Sequence, residues 1–114
     1  MKSKKIAKIC HNVHNVICEQ NGLKVTPWEE KSEEHQAIVI DSVDKILSGE
    51  INSPEQAHDN FIGMKIEEGW IFGANHSEKK KTSPRLCEFT DLPDLEQMKD
   101  EYFFNVACSF RKYD

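Results

Sequence analysis

Four stretches of this chain space their apolar residues in steps of three and four, and that spacing limits the kind of fold open to it. Ile6, Ile9, Cys10, Val13, Val16 and Ile17 form the first stripe, the pattern that gathers apolar side chains on one face of a helix. Gly22 follows as a C-cap. Thr26-Pro27-Trp28-Glu29-Glu30 breaks the period, and Ser32-Glu33-Glu34 then supplies an N-cap with acids in the first turn of a second helix. Ala37, Ile40, Val43 and Leu47 make its face, Ile38 and Ile46 widen it, and it stops near Gly49. Ser53-Pro54-Glu55-Gln56 is the clearest local signal: a capping Ser, Pro at the first helical position, and Gln placed to close a capping box. The third helix carries Ala57, Phe61 and Met64 on one face and ends at Gly69.

Gly69-Trp70-Ile71-Phe72-Gly73 is aromatic, β-branched and bounded by glycines, which predicts a short strand. A polar loop, Ala74 to Pro84, separates it from a second predicted strand, Leu86-Cys87-Glu88-Phe89. Asp91-Leu92-Pro93 opens the last helix, with Leu95, Met98, Tyr102, Val106 and Phe110 as its expected buried stripe. The expected fold is therefore mainly α (α+β): four helices, with a short two-stranded hairpin before the last. No repeat, low-complexity segment or linker interrupts the pattern, so residues 1–114 are expected to form a single domain.

At 114 residues a folded chain buries roughly two-thirds of the surface its unfolded form exposes, enough for one core without metal or disulfide staples. The formal net charge is −5, which disfavours long nucleic acids because phosphate neutralisation needs a basic face. The longest apolar run, Ala37 to Ile40, is far below the ~18 residues of a membrane span. The basic start, Met1-Lys2-Ser3-Lys4-Lys5, is followed by Lys8, His11 and Asn12 rather than by the apolar stretch of an export signal. Cys10, Cys18, Cys87 and Cys108 form no C-x-x-C pair, and reduced core thiols are the simpler reading. These features predict a soluble, cytoplasmic protein without a membrane partner.

Several residues have the chemistry of a binding site. Trp28 and Trp70 lie outside helix interiors, where an indole either stacks on a planar ligand or plugs a helix end. His58, Phe61 and Lys65 share one face of the third helix, so a hydrogen bond and a positive charge can reach one pocket. Lys79, Lys80, Lys81, Thr82, Ser83 and Arg85 make a cationic, hydroxyl-bearing loop, either a phosphate clamp or a solvated turn. Cys10, His14 and Cys18 recur at i, i+4 and i+8, a spread over two turns that diverges too far for a zinc site without further ligands. His58 with Asp59, or Glu29 with His11, can be assembled into an acid–base pair. No nucleophile elbow or phosphate loop accompanies them.

The order of residues across about Ile6 to Phe110 resembles the RyR domain, the module named for its repeats in ryanodine receptors and found as stand-alone bacterial and phage proteins. The resemblance rests on Cys10-His11, Trp28-Glu29, Ala37-Ile38, Val43, His58, Lys65, Gly69-Trp70, Gly73, Lys81, Pro84, Leu86, Leu92-Pro93 and Lys99-Asp100. It departs from the family pattern where Phe61 replaces an indole, Phe72 and Phe89 replace tyrosines, Ser77 stands for an Asp and Ser83 for a His. What the resemblance implies is an RyR-like fold and a non-catalytic module for a small nucleotide-derived, ADP-ribose-like signal, in phages a sponge that sequesters a defence signal. The ligand-binding residues expected from the helix face, the loop and the resemblance together are Trp28, Glu29, His58, Phe61, Lys65, Trp70, Phe72, Lys81 and Arg85. No cofactor, metal or catalytic residue is expected. The alternatives are an interaction or assembly module, for which the tandem receptor repeats suggest a homodimer or higher homo-oligomer, and an enzyme acting on nucleotides.

Overall fold

A computed structural model describes residues 3–113. The elements follow in the order α1 (Ser3–Gln20), a 3-10 turn (Trp28–Glu30), α2 (Glu33–Ser48), α3 (Pro54–Glu67), β1 (Ile71–Phe72), β2 (Thr82–Ser83), a second 3-10 turn (Phe89–Asp91), α4 (Asp94–Ser109) and a closing 3-10 turn (Phe110–Tyr113). The fold is mainly helical with one small two-stranded sheet.

The helix boundaries are set by the predicted caps. Ser32 accepts from the His35 backbone N–H at α2, and Ser53 accepts from the Gln56 N–H at α3, where Pro54 takes the first helical position. Gln56 Oε1 closes the box one residue further out than expected, accepting from the Asn52 N–H at 2.7 Å. Gly22 ends α1 in a Schellman arrangement, with Leu23 N–H donating to Cys18 O and Gly22 N–H to Glu19 O. Gly69, at φ +92°, repeats it on α3 through Trp70 N–H to Lys65 O and Gly69 N–H to Ile66 O.

α4 packs against α1, α2 and α3. The central cluster contains Ile6, Ala7 and Cys10 of α1, Trp28 of the first 3-10 turn, Val43 and Ile46 of α2, Ile51 of the following loop, Ala57 of α3, and Phe104 and Ala107 of α4. Ala7 and Ala107 are fully buried, and such small residues let helices approach closely. The faces are rotated from those the sequence predicts. On α1, His11 and Cys18 are buried while Val16 is exposed; on α2, Ser42 is buried and Ala37 exposed; on α4, Lys99 is buried while Met98 and Tyr102 are exposed. Helices that contact several neighbours bury more than one narrow stripe, and apolar spacing alone does not rank the possible faces.

The sheet also differs in detail. The second strand is Thr82–Ser83, not Leu86 to Phe89, and it pairs parallel to β1, Ile71 with Thr82 and Phe72 with Ser83. A hairpin connection is excluded by that direction. Thr82 instead makes an antiparallel bridge to Ser77 inside the loop, so the chain folds back before it rejoins β1. Beyond β2, Pro84 brings no donor, and Ser83 Oγ and Ser83 O accept from Arg85 and Leu86 in a turn. Phe89 then enters a 3-10 turn and is buried against α3.

Candidate functional site

The four helices enclose a cavity of about 140 Å³. α1 contributes His11 and His14, α2 His35, Ile38, Val39 and Ser42, α3 Ala57, His58 and Phe61, and α4 Lys99, Asp100 and Phe103; Lys31 and Arg85 enter from loops. Ile38, Val39, Ala57, Phe61 and Phe103 supply hydrocarbon wall, and four imidazoles and four charged side chains, drawn from all four helices and the two loops, supply the rest with Ser42.

Asp100 pairs with two of these groups. Its Oδ1 is 3.3 Å from an Arg85 terminal nitrogen and its Oδ2 is 3.2 Å from His58 Nδ1. His58 Nε2 donates to Cys87 O at 2.7 Å; a carbonyl only accepts, so that nitrogen carries a proton. Burial lowers the His58 pKa, but the hydrogen bond to Asp100 and the one to Cys87 O outweigh it and hold the ring above the usual histidine range. Arg85 also reaches Glu96 at 3.2 Å through Nε, and Lys99, 7% exposed, pairs with Glu96 at 2.6 Å. Arg85 Nε and Asp100 Oδ2 are both buried, each facing an opposite charge at 3.2 Å, Glu96 Oε1 and His58 Nδ1 respectively.

The other imidazoles are different in kind. Burial, with Lys99 and Arg85 nearby, pushes His14 down to about 4, and burial with Lys31 and Lys65 pushes His35 down to about 3. Both are neutral near pH 7 and can give or accept a hydrogen bond. His11 is committed to the fold: its Nε2 donates to Thr26 O at 2.8 Å, beside Asn15, and so fastens the loop between α1 and α2.

Lys31 and His35 also line a second, outer cleft of about 300 Å³ with Thr26, Glu30, Ser32, Glu34, Lys65, Trp70, Glu78 and Lys81. No protein-family model and no curated protein sequence matches this chain.

The nine residues expected at a ligand therefore divide by location. His58, Phe61 and Arg85 line the inner cavity, and Lys65, Trp70 and Lys81 line the outer cleft. Phe61 bridges the two, with Arg85 5.0 Å and Lys65 5.9 Å from its ring centre. Trp70 is only 5% exposed, with the Lys65 ammonium 4.5 Å from its ring centre and the His76 ring stacked at 5.6 Å. Lys81 donates to Glu68 O at 2.8 Å, capping the end of α3. Trp28 is 4% exposed in the core cluster, Glu29 pairs with Lys8 on the surface, and Phe72 is 59% exposed on β1. The structure brings none of those last three to either cavity, and Trp28 and Trp70 do not share one.

Sequence reasoning passed over His35, Lys31, Phe103 and Glu96, and met Lys99 and Asp100 only as part of the resemblance. The available signal was the i, i+3 and i, i+4 set Glu96, Lys99, Asp100, Phe103 on α4, which places two acids and a cation beside an aromatic on one helix face. Among the described residues no group of three or more His, Cys, Asp or Glu is arranged to hold a metal ion, and all four cysteines are free thiols. No helix among them is long and apolar enough to cross a membrane.

Proposed function

We propose that this chain is a non-catalytic binding module for a small, planar, phosphorylated molecule derived from a nucleotide, of the ADP-ribose-like kind that the resemblance to RyR domains implies. The observation that carries the reading is the convergence, in one cavity, of the Arg85 guanidinium and the Asp100 carboxylate beside the Phe61 ring. A ligand presenting both an acceptor and a donor on a flat body meets the guanidinium and the carboxylate there, and charged groups held beside an aromatic ring are placed to orient it. Apolar walls with a few convergent polar groups are the usual make-up of small-molecule sites.

The planar contact in this reading passes to Phe61, because Trp70 is already covered by Lys65 and His76. The inner cavity, at about 140 Å³, takes the flat portion; the outer cleft, about 300 Å³, joined to it through Lys31 and His35, takes the phosphates against Lys31 and Lys65. His58 supplies charge and orientation. Its Nε2 donates to Cys87 O and its Nδ1 faces the Asp100 carboxylate, so both ring nitrogens are engaged by the protein and neither is turned to a ligand. Binding without turnover lowers the free concentration of the ligand, which is what a phage sponge for a defence signal requires.

The test is a panel of nucleotides and ADP-ribose-like molecules scored by melting temperature. A ligand at a hundred times its Kd adds about 2.7 kcal/mol, which for a chain of this size raises Tm by roughly 10 °C or more. At least one member should do so, and Lys31→Ala should weaken the response about tenfold. No shift for any member at millimolar concentration would contradict the proposal. A second reading, an interaction or assembly module, draws on the exposed apolar residues of α1 and α4.

A further inference from the structure

The apolar residues of α1 serve two faces. Ile6, Ala7, Cys10, Ile17 and Cys18 are buried, whereas Ile9 and Val13 are half-covered and Val16 is 51% exposed. Met98 and Tyr102 of α4 are 37% and 48% exposed. These are not scattered: Ile9, Val13, Val16, Met98 and Tyr102 line one groove of about 530 Å³ between the two helices. Single exposed apolar side chains are ordinary on protein surfaces, while a contiguous apolar groove marks a contact surface. The steps 9, 13, 16 alternate four and three, the spacing of a seam between paired helices.

Charge along the groove selects the occupant. α1 and α4 run antiparallel, since Cys10 meets Phe103 and Cys18 meets Lys99. Lys4 and Lys5, both exposed, therefore stand at one end of the groove, and Glu19 and Asp94, also exposed, stand at the other. A surface with a basic end and an acidic end about an apolar middle is complementary to itself under a two-fold rotation.

We propose that this groove is the interface of a homodimer, in which the Ile9, Val13, Val16 seam of one copy packs antiparallel on the same seam of the other and Lys5 meets the acidic end of its partner. The groove shares no lining residue with the inner cavity or the outer cleft, so the proposal stands or falls apart from the ligand reading.

Sedimentation equilibrium of the full chain from micromolar to millimolar concentration tests it. The expected result is a reversible dimer whose dissociation constant rises about tenfold or more in Val16→Glu and in Met98→Glu. Lys5→Glu should weaken the dimer, and adding Asp94→Lys to it should restore the affinity. All four positions are exposed, so melting temperatures near that of the parent will show that folding is intact, and two independent groove variants guard against one that is not. A monomer up to millimolar concentration would overturn the proposal and leave the groove to a different protein. A dimer indifferent to both groove variants would overturn it equally, and failure of the charge swap to restore affinity would overturn the antiparallel arrangement.

Discussion

His58 shows at the scale of one residue how the cavity is charged. Burial opposes its protonation, but Asp100 on one nitrogen and the Cys87 carbonyl on the other hold its pKa above the ordinary value. A histidine whose folded pKa is raised contributes stability that is fully present below its unfolded pKa of about 6.5 and is lost as pH rises through the folded value. An NMR titration should therefore place His58 above the usual histidine range, and Asp100→Asn should bring it down. His14 and His35 carry the opposite sign. With folded values of about 4 and about 3, they bind protons in the unfolded chain before the folded one, so stability falls as pH drops from about 6.5 toward 4. Tm measured across that window should decline, and replacing His35 with Asn should flatten the decline; an unchanged slope would show that His35 is not held neutral. The sequence allowed His58 to be singled out, because a capped helix start fixed its register. It could not reveal Asp100 as its partner, since that contact joins residues 42 positions apart across two helices.

The helices were legible as elements because their ends are written in short-range chemistry. Ser32, Ser53, Gly22, Gly49 and Gly69 all act as the sequence predicts. Ser53→Ala should cost about 1 kcal/mol in chemical denaturation, with no change in the denaturant slope. What was not legible is which face each helix buries. That choice depends on neighbours distant in sequence, and α4, packed on three helices, hides the Lys99 stem while leaving Met98 and Tyr102 outside. The small sheet is the other case. Its strands are two residues each, too short for a pattern of period two, and its parallel direction comes from the turn-back at Ser77. Gly73 is the element's fixed point: a Cβ there would lie 2.7 Å from Thr82 Cβ. Gly73→Ala should therefore open the β1–β2 pairing, which amide exchange at Ile71 and at Gly73's own position will report as faster exchange, while the helices keep their protection.

For the whole molecule, a chain with a net charge of −5 places three of its fifteen Lys and Arg side chains around one small cavity. Lys31, Arg85, Lys99 and the His58 ring face it, answered by Glu96 and Asp100. An acidic protein can in this way present a locally cationic pocket, and the overall charge bears on long polyanions more than on small ones. The outer surface holds a separate feature in the α1/α4 groove, which shares no lining residue with the inner cavity or the outer cleft. The central claim is that the inner cavity and the outer cleft together hold a small phosphorylated molecule without changing it. Mass analysis of the protein as isolated, first intact under native conditions and then denatured to release what it holds, tests that claim most directly. The account predicts a bound, phosphorus-containing small molecule that is recovered unaltered after prolonged incubation with fresh protein and is lost in Lys31→Ala and Phe61→Ala. A protein that carries no such molecule and takes up none from a nucleotide mixture, or one that returns it chemically altered, would contradict it.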